Sequence, residues 1–110
     1  MGKLIYGVTS TSFDIEDRTL AHLRIVISTK LRRGEPFLFD VDLGDGTGHR
    51  SLWLHPAVPL QFHFHGSRAP RINRAWIDDL MQSANSLSGL VITPEPPEAR
   101  ADEERTGERS

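Results

Sequence analysis

The chain has 110 residues, of which 37% are hydrophobic and 25% are charged, a composition typical of one small soluble globular domain. It contains no cysteine, which excludes disulfide frameworks, thiolate zinc sites and cysteine nucleophiles. No apolar run approaches the roughly 20 residues that cross a bilayer, and the N-terminus lacks a signal-peptide pattern, so we expect a cytoplasmic protein without a membrane partner.

The composition changes at Pro94. Residues 94–110 contain no large apolar side chain, and their six acids against three arginines give a charge of −3. The whole chain carries −2, which leaves +1 for residues 1–93. We therefore expect one folded domain over residues 1–93 and a disordered acidic tail rich in Pro, Glu and Arg over residues 94–110.

The first third of the chain predicts two strands and a helix. Alternating apolar residues predict a strand over 3–8 and a short second strand around residues 12–15. A helix then begins near Asp14 or Asp17, either of which can serve as N-cap, and ends near Arg33, with Gly34 as its left-handed exit. One apolar stripe marks its buried face: Leu20, Leu23, Ile27 and Leu31.

The middle of the chain predicts three further strands. Phe37 to Leu43 alternate, and the glycine-rich segment 44–48 then turns the chain into a hairpin whose return strand covers residues 51–55. A third strand covers residues 58–65, and Pro59 indicates that it lies at a sheet edge.

Asn73 is the predicted N-cap of a second helix, with Ile72 and Ile77 placed to pack across it. Its buried face is predicted to contain Trp76, Leu80, Ala84 and Leu87, and a short strand over 90–92 follows. The order β-β-α-β-β-β-α-β predicts an α+β fold in which a single mixed or mainly antiparallel sheet carries both helices on one face.

If the helices cover the sheet face that bears Phe62 and Phe64, strict alternation leaves a polar and aromatic set on the opposite face. A tryptophan has more apolar area than a small domain usually leaves exposed, so this open face is interpreted as the interface of a homodimer. The residues predicted on it are Trp53, His55, Gln61, His63 and His65, with Asp40 and Asp42.

The same face allows an alternative, a small metal-dependent hydrolase. His63 and His65 lie two positions apart on one strand, which places their rings about 6 to 7 Å apart on one side. With Asp40 as the third ligand, or Asp42 or His55, they could bind a divalent ion that activates water. The sequence indicates no other cofactor.

Clustered arginines have two interpretations: they balance a helix dipole and occupy a solvated loop, or they bind an anionic partner, in particular nucleic acid. Arg32 and Arg33 end the first helix, whereas Arg68, Arg71 and Arg74 precede and begin the second. Arginines beside a helix N-terminus can form an anion pocket together with free N–H groups.

Several segments together resemble a family of short actinobacterial proteins of unknown function, whose members often carry the label ATP-dependent DNA ligase. They are Gly2 to Gly7, Asp17 to Leu23, Lys30 to Glu35, Trp53 to Pro56 with Pro59 to Phe62, and Asn73 to Ile77.

The ligase reaction needs a lysine in Lys-x-Asp-Gly, because a lysine adenylate is its intermediate. Neither Lys3 nor Lys30, the two lysines of the chain, lies in that motif, so the chain is not a self-sufficient ligase. The leading interpretation is a non-catalytic, homodimeric binding module, with an accessory role at nucleic acid as the secondary one.

Overall fold

The protein's structure, a computed structural model, describes residues 1–42, 44 and 46–98. Leu43 of the predicted third strand, Asp45 of the predicted turn and residues 99–110 of the predicted tail lie outside the described residues. The predicted order of strands and helices is confirmed. The elements are β1 (Gly2–Tyr6), β2 (Thr11–Ile15), α1 (Asp17–Arg32), β3 (Phe37–Asp42), β4 (His49–Leu54), β5 (Leu60–His63), α2 (Arg74–Ala84) and β6 (Leu90–Val91).

The predicted α+β class is confirmed, but the strands form two three-stranded sheets instead of the predicted single sheet. The N-terminal sheet has the order β2-β1-β5 and is antiparallel, whereas the hairpin sheet has the order β4-β3-β6, with β6 parallel to β3. The predicted hairpin between β3 and β4 is present, but β5 pairs with β1 instead of continuing beside β4.

The connection between β4 and β5 explains this break. Pro56 and Pro59 remove two backbone donors from it, so it cannot extend a ladder along β4. The outer edge of β4 is contacted instead by Tyr6, whose hydroxyl donates to the carbonyl oxygen of Trp53 at 2.8 Å. Gly7 donates its backbone N–H to the carbonyl oxygen of Pro59 at 2.9 Å, which continues the β1–β5 pairing.

The two helices divide their main strand contacts between the two sheets, and α1 also reaches the hairpin sheet, where Lys30 Nζ lies 5.6 Å from the centroid of the Phe37 ring. The α1 helix contacts β1, α2 contacts β3 and β6, and the helices contact one another. One continuous core nevertheless joins both sheets and both helices. Neither helix in the described part of the chain is long and apolar enough to cross a membrane.

The predicted alternation of side chains holds within each sheet. Phe39 and Leu54 are buried, whereas Phe62 and Phe64 are half-buried and pack against the core. Their neighbour His63 is exposed, as expected. Leu87 was predicted on the buried face of the second helix, but α2 ends at Ala84 and the Leu87 side chain is fully exposed.

The ends of the helices show which predicted caps form. Asn73 caps α2 by accepting a hydrogen bond from the backbone N–H of Ala75 at 3.1 Å, as predicted. Asp17 is the first residue of α1 and does not cap it. Its two carboxylate oxygens accept hydrogen bonds from the backbone N–H groups of His65 and Gly66, at 3.1 and 2.7 Å. Asp17 therefore fixes the chain that leaves β5.

Candidate functional site

The predicted open face is divided between the two sheets. Trp53 lies on β4 in the hairpin sheet, whereas Gln61 and His63 lie on β5 in the N-terminal sheet. His55 and His65 follow the ends of these two strands. The five residues are exposed or half-exposed, but they do not share one sheet face.

The ligand set of the metal alternative does not come together. Asp40 lies on β3 and accepts a hydrogen bond from the hydroxyl of Ser51 on the neighbouring strand. His63 lies in the other sheet. Across residues 1–42, 44 and 46–98, no three His, Asp or Glu side chains form a group that could hold a metal ion. The hydrolase alternative therefore lacks the convergence on which it depended.

The predicted anion-binding arginines fall into two groups. Arg32 and Arg33 lie at the C-terminal end of α1, about 12 Å along the helix from Arg24. Arg68 and Arg71 lie in the segment before α2, and Arg74 is the first residue of that helix. The first group is thus separate from the second, which lies near a cavity described below.

The N-terminus of α2 is covered by the protein's own C-terminal segment. We call residues 93–98 the C-terminal clasp. The carboxylate of Glu95 accepts hydrogen bonds from the Arg18 guanidinium, at 2.8 Å from Nε, and from the Asn73 side-chain amide at 3.0 Å. The Trp76 indole N–H donates to the carbonyl oxygen of Thr93 at 3.0 Å. The anion beside this helix end is therefore Glu95.

The clasp also forms an ion pair with one of the predicted anion-binding residues: Arg71 Nε lies 3.0 Å from a carboxylate oxygen of Glu98. Residues 94–98, which the sequence assigns to the tail, thus contact the helical layer. Two hydrogen bonds lower the pKa of Glu95 to about 2: the one from Arg18 has the larger effect, and the one from Asn73 the smaller.

A buried histidine lies behind the clasp. His22 is fully buried on α1, and its ring contacts that of Trp76 with centroids 4.6 Å apart. Its Nε2 atom accepts the backbone N–H of Asn73 at 2.8 Å, so its Nδ1 atom carries the proton and donates to the Arg18 carbonyl oxygen at 2.7 Å. Both ring nitrogens are satisfied, which indicates a structural role.

A cavity lies between α1 and the chain that follows β5. It has a volume of about 390 Å³, within the range of small-molecule sites. The α1 helix contributes Ala21, Arg24 and Ile25, whose spacing of three and four places them on one helix face. The opposite wall consists of Phe64, Gly66, Ser67, Arg68, Ala69, Pro70 and Ile72. We call this cavity the arginine pocket.

The lining of the arginine pocket is mostly apolar, with two cations at its border. The guanidinium groups of Arg24 and Arg68 are exposed, and neither forms an ion pair with an acid in the described part of the chain. Behind this wall, the carboxylate of Asp17 accepts the backbone N–H of Gly66 at 2.7 Å. Hydrogen bonds from Gly66 and His65 lower the pKa of Asp17, so it stays ionised while it holds this wall.

The pocket and the clasp were both missed by reasoning from the sequence. The triad Ala21, Arg24 and Ile25 gives a helical spacing that marks a second, partly apolar face of α1, and this was the available signal. Nothing in the sequence pairs Arg18 with Glu95, because the two residues are 77 positions apart.

Comparison with protein families matches residues 1–95 to a domain of unknown function, DUF7882. The match covers both sheets, both helices and the clasp as far as Glu95. No curated protein and no solved structure matches the chain.

Proposed function

The chain belongs to the family defined by this domain of unknown function, which assigns no activity, and from the geometry we propose that it is a non-catalytic, cytoplasmic binding module for nucleic acid. The arginine pocket is its binding site. The observation that carries the proposal is that one apolar cavity is bordered by two exposed arginines, Arg24 and Arg68, with no acid paired to either among the described residues.

The composition of the pocket supports binding over catalysis. Acid and base catalysis needs a titratable side chain within hydrogen-bond reach of the substrate, such as a histidine or a carboxylate. The lining contains two arginines and Ser67 as its polar side chains, and no histidine, lysine or carboxylate. Arginine stays protonated at all accessible pH values, so it binds anions without transferring protons.

The charges around the pocket support an anionic partner. Arg68 lies six residues before Arg74, and neither forms an ion pair among the described residues, so the connection into α2 adds positive charge beside the pocket. Phosphate groups of nucleic acid bind arginines through the fork geometry of guanidinium. The low net charge of the chain limits the attraction to this one area and favours a moderate, salt-sensitive affinity.

We also propose that the module is a homodimer, as the open-face interpretation suggested, but through a smaller patch. Leu38 and Trp53 are direct cross-strand neighbours in the hairpin sheet, with 38% and 51% of their surfaces exposed. Both residues line a surface cavity together with Leu87, whose side chain is fully exposed. A second copy would remove this apolar area from water.

The test of nucleic-acid binding is fluorescence anisotropy with a labelled 12-nucleotide single-stranded DNA at low and moderate salt. We expect binding that weakens with salt, and a weaker affinity for Arg68→Ala. The matched control is Arg33→Ala, which also removes one exposed positive charge but at the other end of α1. It should retain near wild-type affinity.

Two results would contradict the proposal. No binding at tens of micromolar protein in low salt would exclude nucleic acid as the partner, since even non-specific binding appears in that range. Equal losses in Arg68→Ala and Arg33→Ala would show that overall charge, and not the pocket, determines the affinity.

A further inference from the structure

We infer that the arginine pocket binds a single unstacked nucleotide, with the base inside the cavity and the phosphate on Arg24 and Arg68. This inference rests on the proposed function and specifies how the nucleic acid would be held. A basic surface alone would bind the phosphates of a duplex as well as those of a single strand. The pocket adds a feature that a duplex cannot use, because its bases are stacked and paired.

The shape and lining of the cavity suit a flat apolar group. A volume of about 390 Å³ accommodates one base together with part of its sugar. Phe64 offers an aromatic surface on one wall, and Ile25 with Ala21 forms the apolar wall of α1 opposite. Stacking of a base on aromatic and apolar side chains is tolerant of sequence, since every base has a π-face.

Polar groups for the edge of the base are present along the wall that follows Gly66. The backbone N–H groups of Ser67, Arg68 and Ala69 take part in no hydrogen bond within the described part of the chain. The hydroxyl of Ser67 can both donate and accept. All three residues line the cavity, so these groups are available to pair with a base edge once the base has left its stack.

The cations lie where the phosphate of such a nucleotide would be. Arg24 comes from the rigid α1 helix and Arg68 from the opposite wall, so they face the cavity from two sides. Both are exposed, and neither has an acidic partner among the described residues. By contrast, Arg18 and Arg71 are already paired with Glu95 and Glu98 of the clasp. Of these four arginines, Arg24 and Arg68 are therefore the two without an acidic partner among the described residues.

Hydrogen bonds to α1 also fix the position of the pocket wall that follows β5. Asp17, at the start of α1, accepts two backbone hydrogen bonds from His65 and Gly66. Because Arg24 and Asp17 belong to the same helix, this contact fixes the distance between the two walls. The cavity is therefore held open by hydrogen bonds as well as by packing.

The inference is tested with three labelled probes of equal backbone length: a single-stranded 8-mer, the same strand with abasic sites throughout, and the 8-mer in a duplex. The intact and abasic strands carry the same phosphates, so a difference in affinity reports the base. We expect the intact strand to bind about 5- to 100-fold more tightly than the abasic strand. The duplex should bind less tightly than the intact strand, although it carries twice the phosphates, because its bases are not accessible.

Two variants assign the difference to the pocket. Ala21→Leu places a larger side chain in the cavity on a helix that leucine favours, and it should remove the preference for the intact strand. Arg68→Ala should weaken the intact and abasic strands by the same factor. Circular dichroism and thermal melting establish that both variants fold, and Ala75→Leu on α2, outside the pocket lining, is the control for Ala21→Leu.

A free nucleotide is the other source of the same chemistry, and adenosine monophosphate with ribose 5-phosphate as its control distinguishes it. An affinity for the monophosphate equal to that for the strand would retain the pocket assignment and contradict a nucleic-acid strand as the partner. Equal binding of intact and abasic strands, with both weakened by Arg68→Ala, would overturn this inference and retain the proposed function. Failure of every probe to bind would overturn both.

Discussion

The Nε2 atom of His22 accepts a hydrogen bond from the backbone N–H of Asn73, at 2.8 Å and 51 positions later in the chain. This bond ties the second turn of α1 to the N-cap of α2 within the core, since both residues are fully buried. Asn73 also caps α2 and binds Glu95 of the clasp through its side chain. One histidine thus supports the helix pair on which both the clasp and the pocket depend.

Replacement of His22 by leucine is therefore expected to destabilise the protein. Leucine fills the space but leaves the N–H of Asn73 without its acceptor, which costs about 1–3 kcal/mol. Urea unfolding followed by tryptophan fluorescence measures the loss, because Trp76 packs against His22. His49→Leu is the control at an exposed histidine and should change stability by no more than about 0.5 kcal/mol. An unchanged midpoint for His22→Leu would contradict the structural role of His22.

Glu95 makes the clasp sensitive to acid. Its pKa falls from the ordinary 4.5 to about 2 in the folded protein, chiefly through the hydrogen bond from Arg18 and next through that from Asn73. A lowered folded pKa means that the ionised carboxylate stabilises the fold above pH 4.5. That contribution is lost as the pH falls from 4.5 towards about 2.

Thermal melts between pH 7 and pH 2 test this dependence. Wild type should lose stability over the interval below pH 4.5, whereas Glu95→Gln should begin less stable at pH 7 and lose less over that interval. Asp14 and Asp17 also have lowered pKa values, so part of the acid dependence remains in the variant. Glu16→Gln removes an exposed carboxylate outside the clasp and serves as the control. Parallel profiles for wild type and Glu95→Gln would argue against the clasp.

Local signals were sufficient to predict the elements but not how they assemble. The cap at Asn73, the left-handed Gly34 and the glycine turn between β3 and β4 all depend on residues within a few positions of one another. The pairing of β5 with β1 instead of β4 depends on contacts across more than 50 residues. Alternation predicts which way a side chain faces within its strand, but not which sheet contains the strand.

In the candidate site, too, the features that depend on local sequence were predictable, and those that depend on long-range contacts were not. Arg68 was predicted as an anion-binding residue, and it lines the pocket, because a charged side chain in a glycine- and proline-containing connection is exposed whatever the topology. The partners of Arg71 and Arg18 were not predictable, since Glu98 and Glu95 lie in a segment whose composition resembles a solvated tail. The contacts of Glu95, Pro96 and Glu98 with the helical layer are specific long-range hydrogen bonds and ion pairs, which composition does not measure.

Thr93 offers a stabilising substitution at the start of the clasp. Its hydroxyl oxygen is buried and has no hydrogen-bond partner among the described residues, while its carbonyl oxygen accepts the Trp76 indole N–H. Thr93→Val keeps the shape and the carbonyl and removes the unsatisfied hydroxyl, so we expect stability to rise by up to about 1 kcal/mol. Thr93→Ser keeps the hydroxyl and loses a methyl group, and it should be less stable than wild type. Urea midpoints in the opposite order would refute the burial of an unpaired hydroxyl.

The homodimer is tested at Trp53. Size-exclusion chromatography with light scattering should give twice the chain mass of 12.3 kDa for wild type. Trp53→Ser should shift the mass to that of the monomer, because it removes the largest side chain of the patch that also contains Leu38. Val8→Ser removes an exposed apolar side chain elsewhere and should remain dimeric. A wild-type mass of 12.3 kDa would rule out the dimer.

We expect Gly89 to tolerate substitution less well than Gly34, because both its backbone conformation and its surroundings disfavour a side chain. Its φ of +89° lies in the left-handed region, and a Cβ atom would lie 2.6 Å from the carbonyl oxygen of Leu38. Gly34 has a similar φ of +71° but nothing within 4 Å of its Cβ position. Gly34→Ala should therefore cost the backbone strain alone, about 1–2 kcal/mol.

Gly89→Ala should cost more than Gly34→Ala, since the backbone of β3 must move to admit the methyl group beside the parallel β3–β6 pairing. Urea unfolding of the two variants measures the difference, which isolates the steric contact from the shared backbone strain. Equal losses would mean that β6 lies farther from Leu38 than the structure places it, and the parallel strand of the hairpin sheet would then need revision.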